Sequence, residues 1–350
     1  MTTNITWNRA WPLLAVLGSV TALGVGTSLA KQLFPVLGAQ GTSALRVGFA
    51  ALILVAILLP TLVAEAAWPF ALLTLVFISA AGWEWSRLNE APGVRAWLTG
   101  AAVAGGCVYA AQVVGLPVWA QAVVDNGLNV HPHVHGLGLP LAGFHVATGV
   151  WAFATLVWVL GGAAVLRYGS THWRQVPEFW RRLLGLALLV MAWLALVESK
   201  AQGLNFLLSV LCLVWAADIG AYFGGKAFGR RKLAPSISPG KSWEGVWSGM
   251  VAVCVLAALW IWADANLGVD SPSLYSRLWM GLGPLGMLLA LAFLVAVSVV
   301  GDLFESLVKR QAGVKDSSQL LPGHGGVLDR IDALLPTLPL TLAVLTLCHA

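Results

Sequence analysis

Long apolar windows recur along the whole chain and constrain its fold more than any other feature. A helix of about 17–25 residues crosses the hydrocarbon core of a bilayer, where the backbone polar groups must bond within the chain. Hydrophobic residues make up 59% of the sequence, whereas soluble domains average roughly 45–50%. We therefore predict an all-α polytopic integral membrane protein with nine to ten transmembrane helices. The windows lie near residues 11–30, 44–63, 66–83, 97–116, 143–166, 183–199, 204–222, 246–264, 281–300 and 333–348.

The distribution of lysine and arginine predicts the orientation, because cytoplasmic loops of membrane proteins carry an excess of both. We assume that the charged segment 301–332 faces the cytoplasm and that successive windows cross the membrane in alternate directions. Only Arg9, Lys200 and Arg277 of the 20 basic residues then lie on the other side. This arrangement predicts an N-terminus outside the cytoplasm. It also explains the net charge of +5 without a nucleic-acid partner.

The segment 301–332 contains five acidic and four basic residues, in a chain of which only 10% is charged. A charged group deep in a bilayer costs at least about 2.5–3.5 kcal/mol, so this cluster requires a protein-lined or aqueous site. A solvated loop between two membrane helices is one interpretation. A functional site is the other, because the glycine-rich turn 322–326 lets backbone approach a ligand. The carboxylates on both sides of the turn also have a spacing that suits a metal site.

A second chemical segment, 215–245, combines glycines with basic residues. Asp218 lies near the end of an apolar window, which implies a cation or a basic partner. The glycines would let phosphates approach, and the basic side chains would neutralise them; anchoring by positive charge is the alternative. Residues 238–242 imitate the end of a P-loop, but that motif needs glycine where Pro235 stands and a strand before it, so we reject it. The glycines are Gly220, Gly224, Gly225 and Gly229, and the basic residues are Lys226, Arg230, Arg231, Lys232 and Lys241.

Both segments resemble one enzyme family. The pattern Ser306-x-x-Lys309-Arg310-x4-Lys315-Asp316-x5-Pro322-x-His324-Gly325-Gly326-x-x-Asp329-Arg330-x-Asp332 is similar to the signature of phosphatidate cytidylyltransferases, the bacterial CDP-diacylglycerol synthases. Asp218-x-Gly220-Ala221-Tyr222 and Ser238-Pro239-x-Lys241-Ser242-x-Glu244-Gly245 resemble the same family. The resemblance covers about residues 46–350, which we predict to be a cytidylyltransferase membrane domain. Residues 1–60 resemble the first helices of a drug/metabolite-type amino-acid exporter, so residues 1–45 are predicted to be an extra membrane anchor or an exporter-like extension.

The resemblance implies transfer of the cytidylyl group of CTP to phosphatidic acid, giving CDP-diacylglycerol and pyrophosphate. It implies a multi-pass protein of the bacterial cytoplasmic (inner) membrane with its active site facing the cytoplasm, using Mg²⁺ and leaving open a second cation and a homodimer. The implied metal ligands are Asp302 and Asp329, with Asp218, Asp316 and Asp332 as further candidates. The implied catalytic residues are Asp218, Lys241, Asp302, Lys309, Arg310, Lys315, Asp316, His324, Asp329 and Arg330. The implied substrate-binding residues are Lys226, Arg230, Ser238, Lys241, Ser242, Glu244, Gly325 and Gly326.

Two other functions fit parts of the same sequence. One is a related cytidylyltransferase that acts on a different lipid phosphate. The other is a multi-pass small-solute transporter, because transporters also place charges near the midplane between broken helices. A transporter does not need two glycine-rich segments dense in lysine and aspartate on one membrane face, so the enzyme is the prediction that we carry forward.

Overall fold

The computed structural model describes residues 55–64, 66–116, 118, 143–164, 167, 173–321 and 325–348. The predicted N-terminal extension 1–45 and His324 lie outside these residues. Residues 55–63 are helical. The elements that follow are α1 (Trp68–Leu88), α2 (Val94–Val114), α3 (Gly143–Leu156) with a π-helical continuation (Val157–Gly161), α4 (Glu178–Ala201), α5 (Leu204–Phe228), β1 (Lys232–Ala234), β2 (Ser238–Ser242), α6 (Trp243–Asn266), α7 (Leu274–Gln311), α8 (Leu328–Ile331) and α9 (Leu334–Thr346).

Five of these helices, α2, α4, α5, α6 and α7, are long and apolar enough to cross a membrane. The prediction of a helical membrane protein is confirmed at that level. The last predicted window, 333–348, forms only the 13-residue helix α9. At 1.5 Å per residue α9 is about 20 Å long, shorter than the roughly 30 Å hydrocarbon core. Most of its side chains are buried, so α9 is an internal helix of the bundle.

One short antiparallel hairpin departs from the predicted all-α fold. Lys232 pairs with Ser242, and Ala234 pairs with Ser238. Pro235 and Pro239 lie within this segment. Proline lacks a backbone donor and clashes with the preceding helical turn, so α5 cannot continue through the hairpin into α6. The hairpin connects those two helices at the end where α7 finishes.

Helix α7 extends well beyond its predicted window of 281–300. It contains 38 residues and has a kink at Gly283 (φ 68, ψ −179), directly before Pro284. The segment 302–311 lacks glycine and proline, and Lys309 and Arg310 lie in the last turn, where cations complement the helix dipole. The acidic and basic residues between 302 and 310 therefore lie on a rigid helix, whereas the sequence suggested a loop.

The glycines of α5 and α6 bring these two helices into close contact. A Cβ at Gly224 would overlap Ser248 Oγ, and one at Gly249 would lie 2.6 Å from the carbonyl oxygen of Ala217. Gly220 faces Ala252 in the same way. Small residues allow membrane helices to approach closely. The expectation that Gly220 and Gly224 admit phosphates is therefore wrong, because helix α6 occupies that space.

Helices α7 and α9 pack antiparallel and bring distant parts of the charged segment together. A Cβ at Gly281 would lie 2.5 Å from Cys348 Cβ, near the end of α9. At the other end, a Cβ at Gly301 would lie 2.5 Å from the carbonyl oxygen of Asp332. The turn before α9 therefore lies directly against the part of α7 that carries Asp302.

Candidate active site

A cavity of about 450 Å³ opens between α5, α6 and α7, beside strand β2. Its apolar wall includes Ala217, Val246, Val295 and Val299. Its polar wall contains six of the residues predicted from the sequence, namely Asp218, Lys226, Ser238, Lys241, Ser242 and Asp302. The volume lies within the roughly 300–1,000 Å³ range of small-molecule sites. The two chemical segments of the sequence thus meet in one cavity.

Lys241 and Asp302 form the direct link between the two segments. Lys241 Nζ, on β2, lies 2.6 Å from Asp302 Oδ2, on α7. The other carboxylate oxygen of Asp302 accepts a hydrogen bond of 3.2 Å from Ser306 Oγ, one turn further along α7. Both side chains of the pair keep partial exposure, 23% for Lys241 and 29% for Asp302. The pair can therefore meet a ligand in the cavity.

A second cavity of about 410 Å³ lies next to the first, and Lys226 borders both. Arg230 and Glu244 also line it. The Glu244 carboxylate accepts hydrogen bonds from the backbone N–H groups of Arg230 (3.1 Å) and Arg231 (3.1 Å). Glu244 thereby fixes the chain between α5 and β1, and Lys226 and Arg230 are the basic side chains on the cavity wall.

The predicted residues Lys309 and Asp329 meet in a buried network beside the cavity. Lys309 Nζ lies 2.5 Å from Glu305 Oε2 and 2.6 Å from Asp329 Oδ1. Asp329 Oδ2 also accepts hydrogen bonds from Ser317 N (2.9 Å) and Gly326 N (2.7 Å). The two carboxyl side chains are less than one-tenth exposed. Both oxygens of Asp329 are thus engaged within the protein, and Asp329 is not among the residues that line the cavity.

Asp329 and Asp332 experience opposite electrostatic environments. Burial raises the pKa of Asp329, but a hydrogen bond shared with the Glu305 side chain, together with those donated by Lys309 and by the Gly326 and Ser317 amides, outweighs burial and holds that pKa well below its ordinary value. Burial also raises the pKa of Asp332, and the Asp302 carboxylate raises it further, to about 7. Relative to an ordinary aspartate, the surroundings therefore favour the charged form of Asp329 and the neutral form of Asp332.

Glu84 of α1 is a central residue that the sequence reasoning missed. Its side chain is fully buried. Its carboxylate accepts hydrogen bonds from Ser318 Oγ (2.5 Å), Val327 N (3.0 Å) and Leu328 N (2.7 Å). Burying a carboxylate without partners is costly, so a glutamate beside an apolar window is a signal that partners exist. Those partners lie more than 230 positions away, and the sequence does not reveal them.

The other predicted residues lie around this network. Arg310, Lys315, Asp316 and Arg330 are exposed. Gly325 has a left-handed backbone (φ 82), which favours glycine. A Cβ at Gly326 would overlap Ser317 Oγ and would lie 2.5 Å from Glu84 Oε1. Gly326 thus provides space for contacts within the protein, and a role of either glycine in substrate binding stays a prediction.

The carboxylates on the cavity wall fit a magnesium ion in their chemistry. Asp218 and Asp302 both line the cavity, and Mg²⁺ prefers one or two carboxylates together with substrate phosphates and water. Among the residues that the structure describes, no group of three or more histidine, cysteine, aspartate or glutamate side chains is arranged to hold a metal. An ion held by Asp218 and Asp302 would complete its coordination with water or substrate phosphates.

Fold and site together define a helical membrane protein with a lysine- and carboxylate-lined cavity at one end of its bundle. Known proteins have similar sequences. The model of the cytidylyltransferase family matches residues 45–348, and the chain belongs to this family.

Named relatives agree with this assignment. The chain is 41% identical over 281 residues to the phosphatidate cytidylyltransferase of Pseudomonas aeruginosa, an alignment that covers 79% of this chain and 87% of that protein. It is 53% identical over 190 residues to the phosphatidate cytidylyltransferase of Haemophilus influenzae, covering 54% of each chain. A Staphylococcus saprophyticus protein of the same name is 36% identical over 159 residues, covering 45% of this chain and 55% of the relative.

Proposed function

We propose that this chain transfers the cytidylyl group of CTP to phosphatidic acid, forming CDP-diacylglycerol and pyrophosphate. The observation that carries the proposal is the cavity in which an apolar wall and the Lys241–Asp302 pair face the same space. One substrate is a lipid and the other is a highly charged nucleotide, so both kinds of surface are needed in one place. The names of the relatives support this choice of substrates.

In the proposed reaction an oxygen of the lipid phosphate attacks the α-phosphorus of CTP. A new P–O bond forms, the bond from the α-phosphorus to the oxygen of the β-phosphate breaks, and pyrophosphate leaves with that electron pair. The second pKa of a phosphate monoester is about 6, so the nucleophile is already ionised near neutral pH and needs no general base. The protein's tasks are alignment and neutralisation of charge.

The basic residues have different access to substrate phosphates. Lys241 and Lys226 line the cavity, and Arg230 lines the adjoining one, so these three would hold phosphate oxygens. Lys309 would reach a substrate only by leaving Glu305 and Asp329. We therefore assign Lys309 to the support of Asp329, and Arg310, Lys315, Asp316 and Arg330 to the outer part of the site. His324 stays a predicted site residue.

Magnesium is the proposed cofactor, with Asp218 and Asp302 as its protein ligands. Asp329 ranks lower than the sequence suggested, because it does not line the cavity and its side chain is buried among Lys309, Ser317 and Gly326. Asp316 and Asp332 stay candidates for a second cation. When bound, the ion would neutralise phosphate charge and stabilise the leaving pyrophosphate.

The activity assay uses purified full-length protein with CTP, phosphatidic acid and Mg²⁺. We expect CDP-diacylglycerol and pyrophosphate in equal amounts, no turnover with diacylglycerol in place of phosphatidic acid, and loss of turnover with excess chelator. Other lipid phosphates, assayed in parallel, test the related cytidylyltransferase. Folded protein that consumes no CTP with any lipid phosphate would contradict the proposal, and solute counterflow in vesicles would then support a transporter.

We further propose that the cavity faces the cytoplasm of a bacterial inner membrane, with the N-terminus outside and with nine transmembrane helices, because the tenth predicted window forms the internal helix α9. Arg87, Arg95 and Arg182 lie at the helix ends near the cavity, whereas Lys200 and Arg277 lie at the opposite ends, which supports this orientation. Lys232→Cys and Gly268→Cys, each introduced after replacement of the four native cysteines, test it. In intact cells an impermeant maleimide should label position 268 and spare position 232; the reverse pattern would invert the topology.

The proposed domain organisation keeps residues 1–45 apart from a cytidylyltransferase domain over residues 46–350. The start of the family match at residue 45 supports this boundary. A homodimer stays open, and no nucleic-acid partner is proposed.

A further inference from the structure

Helix α1 is tied to the loop between α7 and α8 by one side chain. Glu84 accepts hydrogen bonds from both arms of that loop, from Ser318 Oγ on the first arm and from Val327 N and Leu328 N on the second. Ser317 Oγ lies 3.2 Å from Glu84 Oε2 and 2.9 Å from Asp329 Oδ2. A hydroxyl has one hydrogen, so Ser317 Oγ can donate a hydrogen bond to only one of the two carboxylates at a time.

Asp329, in α8, accepts hydrogen bonds from the same two arms. It accepts from Ser317 N on the first arm and from Gly326 N on the second. Three successive backbone N–H groups, those of Gly326, Val327 and Leu328, thus point at two carboxylates. Hydrogen bonds to charged acceptors are stronger than those between neutral groups, and the position of the second arm therefore depends on both carboxylates.

The chain of contacts continues from the loop into α7. Asp329 Oδ1 contacts Lys309 Nζ, and Lys309 also pairs with Glu305 one turn earlier on α7. Asp302, which meets Lys241 at the cavity wall, lies one further turn back on the same helix. A displacement of the loop would thus be transmitted to the cavity wall through the contacts of Asp329 with Lys309 and of Lys309 with Glu305, and then along helix α7.

We propose that Glu84 is a positioning residue for cytidylyl transfer: it holds residues 317–318 and 326–328 together so that Asp329 and Lys309 fix the end of α7 that presents Asp302. This inference rests on the proposed function. Glu84 is absent from the cavity wall, so it acts through the loop. Misplacement of reacting groups by about 1 Å can cost on the order of 100-fold in rate, so the rate of the chemical step should suffer more than CTP binding.

The test compares Glu84→Gln, Glu84→Asp and a matched control, Glu198→Gln, which alters a glutamate on membrane helix α4. For each folded variant we would measure kcat, KM for CTP and the rate at which trypsin cuts after the exposed Lys315 in protein without substrate. Glutamine keeps the shape of the side chain but turns an amide N–H₂ toward groups that are themselves donors. Glu84→Gln should lower kcat at least tenfold, change KM for CTP less than threefold and speed cleavage at least tenfold. Glu84→Asp, which keeps the charge, should have a kcat and a cleavage rate between those of Glu84→Gln and the wild type. In Glu198→Gln, kcat, KM for CTP and the cleavage rate should each stay within twofold of the wild type.

A folded Glu84→Gln protein with wild-type kcat, or with wild-type cleavage at Lys315, would overturn the proposal. If that variant does not fold, Ser318→Ala provides the same test, because it removes a single donor to Glu84. Ser318→Ala should lower kcat at least threefold with an unchanged unfolding temperature; an unchanged kcat would overturn the proposal. Absence of CTP turnover in the wild type would refute the proposed function instead, and the cleavage rates would still show whether Glu84 holds the loop.

Discussion

At the scale of single residues, the Lys241–Asp302 pair is the clearest chemical feature of the cavity. Each side chain neutralises the charge of the other, and both are partly exposed. A phosphate that enters the cavity would compete with Asp302 for Lys241, and a cation would compete with Lys241 for Asp302. Binding of nucleotide and metal can therefore separate the pair without leaving a buried charge unpaired.

Lys241→Ala and Asp302→Asn should each lower kcat/KM for CTP at least tenfold, about 1.4 kcal/mol. The double mutant should lose less than the sum of the two, because the partners contact each other and serve one bound substrate set. The matched control is Lys232→Ala, an exposed lysine on β1 that is not among the cavity-lining residues; its kcat/KM should stay within twofold. Strictly additive, small losses would remove the pair from the active site.

The family resemblance implied Asp302 as a metal ligand, and the basic residues of segment 215–245, together with the resemblance, singled out Lys241. The resemblance ranked Asp329 beside Asp302 as a metal ligand, since residue types alone do not reveal that Ser317, Gly326 and Lys309 engage the Asp329 oxygens. Glu305 was overlooked for a similar reason: its i,i+4 pairing with Lys309 requires α7 to continue past residue 301.

At the scale of the elements, α4 is joined to the turn between α1 and α2 by ionic and aromatic contacts. Glu90, in that turn, accepts hydrogen bonds from the buried Arg181 and the exposed Arg174. Trp85 Nε1 donates to the Arg181 carbonyl oxygen, and the Trp85 ring packs against Phe304 of α7 with centroids 5.8 Å apart. This contact region supports the part of α7 that carries the site.

Glu90→Gln should lower the unfolding temperature at pH 7. Hydrogen bonds from Arg181 and then Arg174 hold the pKa of Glu90 below its ordinary 4.5. A depressed pKa stabilises the fold above the unfolded value and loses that effect as the pH falls through the folded value. The difference in unfolding temperature between Glu90→Gln and the wild type should therefore become smaller below about pH 4.

Thermal unfolding in detergent at pH 7 and at about pH 3, below the ordinary pKa of a glutamate, measures this effect. Arg174→Gln is the control, because it leaves the Arg181–Glu90 contact in place and should cause the smaller loss. Equal unfolding temperatures of wild type and Glu90→Gln at pH 7 would show that the ion pairs contribute nothing measurable.

Gly224→Ala should destabilise the α5–α6 contact by about 1–3 kcal/mol, the usual cost of overpacking. The new Cβ would overlap Ser248, so Ser248→Gly should partly restore stability in the double mutant. Gly105→Ala on α2 has no atom within 4 Å of its new Cβ and should be tolerated. Denaturant titration of the wild type, Gly224→Ala, Gly105→Ala and the Gly224→Ala/Ser248→Gly double mutant measures the free energy of unfolding. A Gly224→Ala protein as stable as Gly105→Ala would contradict the close packing.

The sequence predicted most described helices but not all their ends. Apolar windows locate spans because hydrophobic length is a local property. Where a helix stops is also decided by tertiary contacts: α7 continues to Gln311 because its charged turns find partners in the loop, on β2 and in its own last turns. The β1–β2 hairpin depends on pairing between strands, which the apolar pattern does not reveal.

At the scale of the whole molecule, the cavity lies within the part of the chain that the family model matches. Deletion of residues 1–45 should accordingly leave the specific activity within a few-fold of the wild type. The comparison uses equal amounts of folded, membrane-inserted protein, quantified by fluorescence of a fused reporter. Complete loss of activity in a well-folded deletion protein would place the first helix in the catalytic fold.

The kink at Gly283 has a mechanical consequence for the far end of α7. Asp302 lies roughly 28 Å along the helix axis from the kink, at 1.5 Å per residue. A rotation of about 4° there would move its carboxylate by about 2 Å over that lever arm. Tilt of a long apolar helix responds to the thickness of the surrounding bilayer. Acyl-chain length in the host membrane can thus alter the geometry of the Lys241–Asp302 pair without any contact between a lipid and either side chain.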